Sequence, residues 1–409
     1  MREKLGMLAD SPRIEWLAAA ICLILVLVAG VSGALSRNLV RILVILSALL
    51  FFCRAEVRAR VSFTKVIWWL VIVFAAVMSV LALYQGNWID IYESPAIRFS
   101  YNVLLMFIVP MVIYKAGQFK KALVFMIMVL LLNDVAVFFE AWKGVNRPVG
   151  LIKGIQDTAV LYLLYLPVLM VLLLQGRIKT YKNKLVCYIS LLMGLVAVLL
   201  NNTRGVWVAM AIMTFFLVIY YRHALNWKHT MIVLLALAVL GVGLTQNASF
   251  MQRIDSTIHY ENTHYKEPFN GRAYIWQSSI EMFADHPLIG VGLHNYEKYY
   301  KEIYIKPESR PYTFRHAHNV VLQLGAENGL LGVTSFLALF FYLMYWAWQR
   351  RKYSAGLIMF TVLLGMGVYG MSEYQLQFES MMRLFWLLVG FCLAAVRLEA
   401  EREIVIDER

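Results

Sequence analysis

Long apolar runs, separated by short polar segments, recur along nearly the whole chain. A run of roughly 17–25 apolar residues can cross a hydrocarbon core of about 30 Å as a helix. Inside lipid the backbone must satisfy its own hydrogen bonds, and these runs are too long and too continuous for barrel strands. The pattern therefore predicts an all-α polytopic integral membrane protein with about twelve transmembrane helices. The predicted spans lie near residues 16–35, 39–53, 64–84, 98–114, 121–139, 158–175, 185–201, 205–221, 229–246, 326–347, 355–371 and 381–397.

A polar insert separates the ninth predicted span from the tenth. Inside it, Ile275, Trp276, Ile280 and Phe283 recur at helical spacing, and Pro287 ends the pattern. We therefore predict an amphipathic helix that packs its apolar face on the membrane domain or lies at the interface. The predicted organisation is residues 1–246 with spans one to nine, a loop at 247–317 with this substrate-facing helix, and residues 318–409 with spans ten to twelve and a cytoplasmic tail.

Composition supports the membrane class and limits the meaning of the net charge. Hydrophobic residues make up 61% of the chain and charged residues 15%, whereas soluble proteins have about 45–50% and about 25%. The formal charge of +13 would suit nucleic acid, but the chain lacks a soluble basic domain, so we expect no nucleic-acid partner. Lys and Arg instead gather on one side of the predicted spans, which places both termini in the cytoplasm and the loop at 247–317 outside.

Two arginines on the outside are candidates for binding an anionic substrate. Arg204 lies in a very short turn between spans seven and eight, and Arg272 begins the loop helix. A snorkelling cation at a helix end and a solvated loop cation are the alternative interpretations. The charge bias does not require Arg204 on this side, and a cation is unfavourable at the start of a helix. A guanidinium suits the oxygens of a lipid-linked phosphate.

A basic, histidine-bearing segment precedes span ten. Arg315, His316 and His318 follow one another within four residues, and an imidazole is a suitable proton acceptor near neutral pH. We expect both histidines to start the helix that leads into span ten, where side chains two residues apart diverge by about 200°. They would then act together only if the segment before the helix is extended. Interfacial histidines are common, and two histidines without a nearby carboxylate or cysteine are a poor metal site. We therefore expect one reacting histidine and no metal.

Three acidic residues also lie near the outside. Glu327 lies nine positions after His318, on roughly the opposite face of the helix, and we predict a structural role for it. Asp134 lies within the fifth apolar run, where a carboxyl usually faces a cavity or a partner, and Glu140 follows it.

Four motifs in the C-terminal half together resemble the O-antigen ligase/polymerase family. Their order and their common position on the outside are more specific than any one of them. They are Thr203-Arg204-Gly205-Val206-Trp207, Gly271-Arg272-Ala273-Tyr274-Ile275-Trp276, Asp285-His286-Pro287-Leu288-Ile289-Gly290-Val291-Gly292, and His318-Asn319 through Glu327-Asn328-Gly329-Leu330-Leu331-Gly332.

The resemblance implies an inverting glycosyltransferase of GT-C-like membrane fold on the periplasmic face of a Gram-negative inner membrane. The implied donor is O-antigen on undecaprenyl diphosphate, and the acceptor of a ligase is the lipid A–core oligosaccharide. The family's histidine corresponds to His318 and its arginines to Arg204 and Arg272; Arg315 and His316 are expected to contact substrate. No cofactor, metal or obligate protein partner is expected beyond membrane lipids.

Other functions remain open at this point. A polymerase that joins repeat units and an oligosaccharyltransferase acting on protein belong to the same family. A transporter is the alternative from a different class, since twelve spans are typical of transporters. Transporters, however, place charges near the middle of the membrane, whereas the informative residues here gather at the outside.

Overall fold

The computed structural model describes residues 12–30, 33–85, 102–152, 154–223, 271–309 and 313–407, with a few further positions between 251 and 259. Within these residues the regular elements are all helical, which confirms the predicted class. The α-helices are α1 Pro12–Val28, α2 Gly33–Cys53, α3 Ala55–Ala59, α4 Lys65–Gln85, α5 Leu105–Val112, α6 Ala116–Trp142, α7 Ile155–Leu174, α8 Tyr181–Asn201, α9 Arg204–Tyr220, α10 Arg272–Asp285, α11 Tyr296–Tyr299, α12 Val320–Gln349, α13 Ser354–Gly370 and α14 Glu379–Asp407.

Seven helices in the described residues are long and apolar enough to cross a membrane, namely α2, α4, α6, α7, α8, α12 and α14. Helices α9 and α13 are apolar but shorter. In the described part of the predicted span at 98–114, which starts at residue 102, the α-helix is α5, and its eight residues reach about 12 Å, less than a bilayer core. The predicted span at 229–246 and the first part of the loop at 247–317 lie outside the described residues. The protein is thus a polytopic membrane protein, and the count of twelve spans stays a prediction.

The bundle has a buried centre and a lipid-compatible periphery. In α7 and α14, 72% and 78% of the spanning window is buried, whereas α2 and α8 bury only 28%. The outer helices expose large apolar side chains such as Ile45, Leu132 and Phe215. A soluble protein rarely exposes so much apolar surface, and in a bilayer these side chains meet lipid.

The predicted amphipathic helix of the insert is α10, and it packs on α12. Its buried face differs in part from the expectation. Ile275 lies inside, but Ile280 is 55% exposed. Ser278 and Ser279 are buried in its place, because their hydroxyls bind the Tyr304 carbonyl and the Tyr296 hydroxyl, each at 2.7 Å.

A break in α12 fixes the insert to the membrane domain. Gly329 has φ 61° and ψ −159° inside the helix, a conformation almost restricted to glycine. The segment 287–292 pairs with the backbone groups around the break. Its four bonds are Leu330 N to Pro287 O at 2.8 Å, Leu331 N to Leu288 O at 3.3 Å, Val291 N to Ala326 O at 2.8 Å and Gly292 N to Glu327 O at 3.0 Å.

The motif at residues 285–292 and the motif at residues 327–332 therefore pack against each other at this break. A Cβ at Gly290 would collide with the backbone of Glu327, and one at Gly329 would collide with the backbone of Leu288. The Glu327 side chain is buried and accepts a hydrogen bond from the Tyr296 backbone N–H at 3.3 Å. These contacts agree with a structural role for Glu327, which stays a prediction.

Replacement of Gly329 by alanine should destabilise the protein. The new Cβ meets the backbone of Leu288 and the residue must keep a glycine-only conformation, which costs about 1–3 kcal/mol or more. We expect a thermal transition of the detergent-solubilised protein several degrees lower than that of the wild type. Gly117→Ala is the matched control, because a Cβ at Gly117 has no neighbour within 4 Å. Equal transitions for the two variants would contradict this account of the break.

Candidate active site

The histidine segment lies just before α12, not within it. Asn319 is the N-cap, and its side-chain oxygen accepts hydrogen bonds from the backbone N–H groups of Val321 at 2.9 Å and Leu322 at 3.1 Å. The Asn319 side-chain amide also donates to the Met371 carbonyl at 3.1 Å, at the end of α13. Asn319 thus caps the N-terminus of α12 and also bonds it to the C-terminal end of α13.

Both histidines therefore lie in non-helical backbone, and their rings face each other. His318 has φ 49°, in the left-handed region, and the two ring centroids are 4.2 Å apart. The expectation that the two residues begin a helix was wrong, because the Asn319 cap places the first helical turn beyond them. The rings are brought together by non-helical backbone in which His318 takes a left-handed conformation, not an extended one.

The two imidazoles share one buried carboxylate, Glu373, which is 3% exposed. His316 Nε2 lies 3.1 Å from Glu373 Oε1, and His318 Nδ1 lies 3.0 Å from the same oxygen. His318 Nδ1 is also 3.2 Å from Oε2. The Tyr374 backbone N–H donates to Oε1 at 3.0 Å. A buried carboxylate with this many donors stays ionised.

The electrostatics of this cluster set the protonation states. Burial raises the pKa of Glu373, but the hydrogen bonds and charges of His316 and His318 more than offset it and hold that pKa well below its usual range. Burial lowers the pKa of His318 from its usual 6.5, and the opposing hydrogen bond and charge of Glu373 do not restore it. The charges of His316 and Arg272 lower it further. Near neutral pH, His318 is therefore a neutral imidazole beside a carboxylate.

The tautomer of His318 follows from its partner. An ionised carboxylate can only accept hydrogen bonds, so His318 Nδ1 carries the hydrogen and donates the bond to Glu373. The other ring nitrogen, Nε2, is then the basic one. His318 thus combines a fixed ring orientation with a nitrogen that can take a proton.

Helix α10 brings Arg272 to the same place. Trp276, one turn after Arg272, donates its indole N–H to the carbonyl of Ala317 at 3.0 Å, between the two histidines. The Ala317 N–H in turn donates to the Gln323 side chain at 2.7 Å. Arg272 is close enough for its charge to act on His318. The loop helix and the histidine segment are therefore one assembly.

Arg204 reaches this region through the start of α9. The N-cap of α9 is Thr203, and Arg204 is its first helical residue. A Cβ at Gly205 would collide with the hydroxyl of Ser372, so the start of α9 lies directly against the residue that precedes Glu373. The structure thus places Arg204, Arg272, His316 and His318 around the turn that carries Glu373.

Arg315 is the predicted site residue that this arrangement leaves at the outer surface. Its side chain is 83% exposed, and its Nε lies 3.9 Å from a carboxylate oxygen of Glu297. Such exposed pairs contribute little to stability.

Sequence reasoning missed Glu373, although a signal was present. Glu373 lies between predicted spans eleven and twelve, on the same side as the histidines, and acidic residues are rare at the edge of such apolar runs. Its distance of 55 positions from His318 hid the contact. The premise that no carboxylate accompanies the histidines was therefore wrong.

Ligand atoms of His316, His318 and Glu373 lie within 4.8 Å of one another, a set that can either share protons or bind a divalent cation.

Comparison with known proteins gives a match over part of the chain. Residues 189–337 match the family model described as O-Antigen ligase. The matched region contains Arg204, Arg272 and His318 but ends before Glu373. No curated protein matches the chain significantly. The match confirms the resemblance drawn from the motifs, and it supports an enzyme of the general O-antigen ligase or polymerase kind, a glycosyltransferase-like activity. Over residues 189–337, this membrane protein is therefore similar to the O-Antigen ligase family.

Proposed function

We propose that the protein transfers O-antigen from undecaprenyl diphosphate to the lipid A–core oligosaccharide. The observation that carries the proposal is the contact between His318 Nδ1 and the buried Glu373 at 3.0 Å, beside the arginine-bearing start of α10. A base with a fixed tautomer, next to cations that suit a diphosphate, is the equipment that glycosyl transfer from a lipid diphosphate requires.

In the proposed reaction, His318 acts as the general base. Its Nε2 accepts the proton of an acceptor sugar hydroxyl while that oxygen attacks the anomeric carbon of the donor glycan. The new C–O bond forms as the bond from the anomeric carbon to the diphosphate oxygen breaks. Glu373 stabilises the imidazolium that forms, and a single displacement inverts the anomeric centre.

The leaving group is undecaprenyl diphosphate, which departs with the bonding electrons. Arg204 and Arg272 bind it and stabilise the negative charge that grows on the diphosphate oxygen released from the anomeric carbon. His316 holds Glu373 and borders the acceptor, and the exposed Arg315 contacts substrate from the rim of the site. Because the donor is already activated by its diphosphate, the reaction requires neither nucleotide nor metal.

The proposed setting follows from the charge distribution and the family. We place the protein in the inner membrane of a Gram-negative bacterium, with both termini in the cytoplasm and the Glu373 cluster on the periplasmic face. Donor, acceptor and surrounding lipids are then the partners, and no obligate protein partner or nucleic acid is needed.

The first test is transfer by the purified protein. Undecaprenyl-diphosphate-linked O-antigen and lipid A–core would be mixed with the protein in the presence of EDTA and without nucleotide, and lipopolysaccharide would be measured. Product would establish a metal-independent ligase. Longer glycans from the donor alone would indicate a polymerase, glycosylated protein would indicate a protein oligosaccharyltransferase, and restoration by added Zn²⁺ would overturn metal independence.

Replacement of His318 by alanine should lower the transfer rate by at least about 10²-fold, the usual contribution of general acid–base catalysis. His223→Ala is the control, because this exposed histidine lies just beyond α9, at the end opposite Arg204. Rates would be measured at saturating donor after equal thermal transitions have been verified. Retained transfer in His318→Ala would remove His318 from the mechanism.

The dependence of rate on pH tests the role of Glu373. Since the pKa of His318 lies below 6.5, the wild-type rate should decline only at a pH below that value. Glu373→Gln removes the negative charge that favours the imidazolium. Its acid limb should therefore move to still lower pH, while its maximal rate falls by about 10²-fold or more.

Glu308→Gln, a change at an exposed carboxylate in the same insert, should keep the wild-type profile. A shift of the acid limb of Glu373→Gln to higher pH would contradict the proposed charge stabilisation. An unchanged maximal rate in that variant would show that Glu373 only holds the fold.

A further inference from the structure

The loop between α6 and α7 lies against the site, although it precedes the region matched by the O-antigen ligase model. In the structure, Arg147 Nη2 donates to the Thr203 hydroxyl at 3.2 Å, and Arg147 Nε lies 3.5 Å from the Asn201 carbonyl. Thr203 is the N-cap of the helix that begins with Arg204. The Arg147 guanidinium therefore lies on the turn that presents Arg204.

The loop is held firmly from both sides. The Glu140 carboxylate accepts from the backbone N–H groups of Val149 at 2.7 Å and Gly150 at 3.0 Å. The Asn133 side-chain oxygen accepts from the Leu151 N–H at 3.0 Å. These bonds give Glu140 its role and fix the backbone on which Arg147 lies.

Further bonds tie the loop to α8 and α7. The Asn201 side-chain amide donates to the Pro148 carbonyl at 3.1 Å, and Thr158 donates to the Val149 carbonyl at 2.9 Å. Arg147 itself has φ 61°, an uncommon conformation for a residue other than glycine. The position of this guanidinium is thus determined by many contacts, as a binding residue requires.

Charge effects place Arg147 in the same neighbourhood as the rest of the site. The Tyr369 side chain, at the end of α13, lies within electrostatic reach of Arg147, Arg272, Glu373 and Asp157. The Tyr369 ring also borders the start of α9 beside Gly205. Arg147 and Arg272 therefore act on the same region as the site carboxylate Glu373.

We propose that Arg147 binds the diphosphate of the lipid-linked donor together with Arg204 and Arg272. The inference rests on the proposed function, because that function supplies a diphosphate donor. A lipid-linked diphosphate carries two adjacent, negatively charged phosphoryl groups, and planar guanidinium donors bind phosphate oxygens in pairs. A third arginine from the loop before α7 makes the N-terminal half part of the donor site.

The test measures binding of farnesyl diphosphate to the full chain in detergent, by calorimetry, and the KM for the lipid-linked donor. Arg147→Gln should weaken farnesyl diphosphate binding and raise the donor KM about tenfold or more, the effect of losing a charge-assisted hydrogen bond. Arg147→Lys should recover part of the loss. Lys143→Gln is the matched control, since Lys143 is an exposed cation on the same loop whose ammonium lies over the Phe139 ring, and it should bind as the wild type does.

A purely structural role for Arg147 gives a different pattern. Thr203→Val removes its hydrogen-bond partner and keeps its charge, so a clamp would make Thr203→Val and Arg147→Gln equal in thermal transition and in binding. That equality, or wild-type binding by Arg147→Gln, would overturn the inference, as would a wild type that does not bind farnesyl diphosphate. Intact binding without transfer would instead overturn the proposed function alone.

Discussion

The site depends on one buried carboxylate at the edge of a membrane domain. An ionised Glu373 that is 3% exposed requires compensation, because burial of an unpaired charge costs several kcal/mol. Two imidazoles and the Tyr374 backbone N–H provide it. The same contacts fix the ring of His318 and decide which nitrogen is basic. Stability and chemistry therefore have the same origin here: the carboxylate requires the histidines, and the base requires the carboxylate.

That arrangement persists only if the insert is held against the bundle, and the break in α12 achieves this. In a continuous helix the backbone N–H and C=O groups would bond to one another, and none would be left to bond the segment 287–292. With Gly329 in a conformation reserved for glycine, α12 exchanges part of its own hydrogen bonding for bonds to the insert. The insert then positions α10, whose Trp276 holds the carbonyl between the two histidines. The backbone bonds at Gly329 thus determine the place of Arg272.

The sequence predicted these features to the extent that they are local. Apolar runs gave the helical membrane class, and helical spacing gave α10, because both patterns act within a few turns. The pairing of His318 with Glu373 depends on the packing of α12 against α13, so no local pattern contained it. The helix start was misplaced for a physical reason as well: Asn319 is a better N-cap than either histidine, and its cap excludes both from the first turn. Arg147 likewise had no local signal, because its loop meets the turn before Arg204 only in the folded chain.

The convergence of helix ends explains why an anionic substrate suits this place. Helix α9 begins against Ser372, α12 begins at a cap bonded to Met371, and α10 begins with an arginine whose charge acts on His318. The N-termini of α9 and α12 therefore lie against one turn, α10 begins near His318, and each N-terminus carries a partial positive charge. This field favours the ionised form of Glu373 and opposes protonation of His318. It would also attract the diphosphate of the proposed donor. A neutral base and an anionic leaving group are therefore favoured by the same arrangement of helices, before any side chain contacts a substrate.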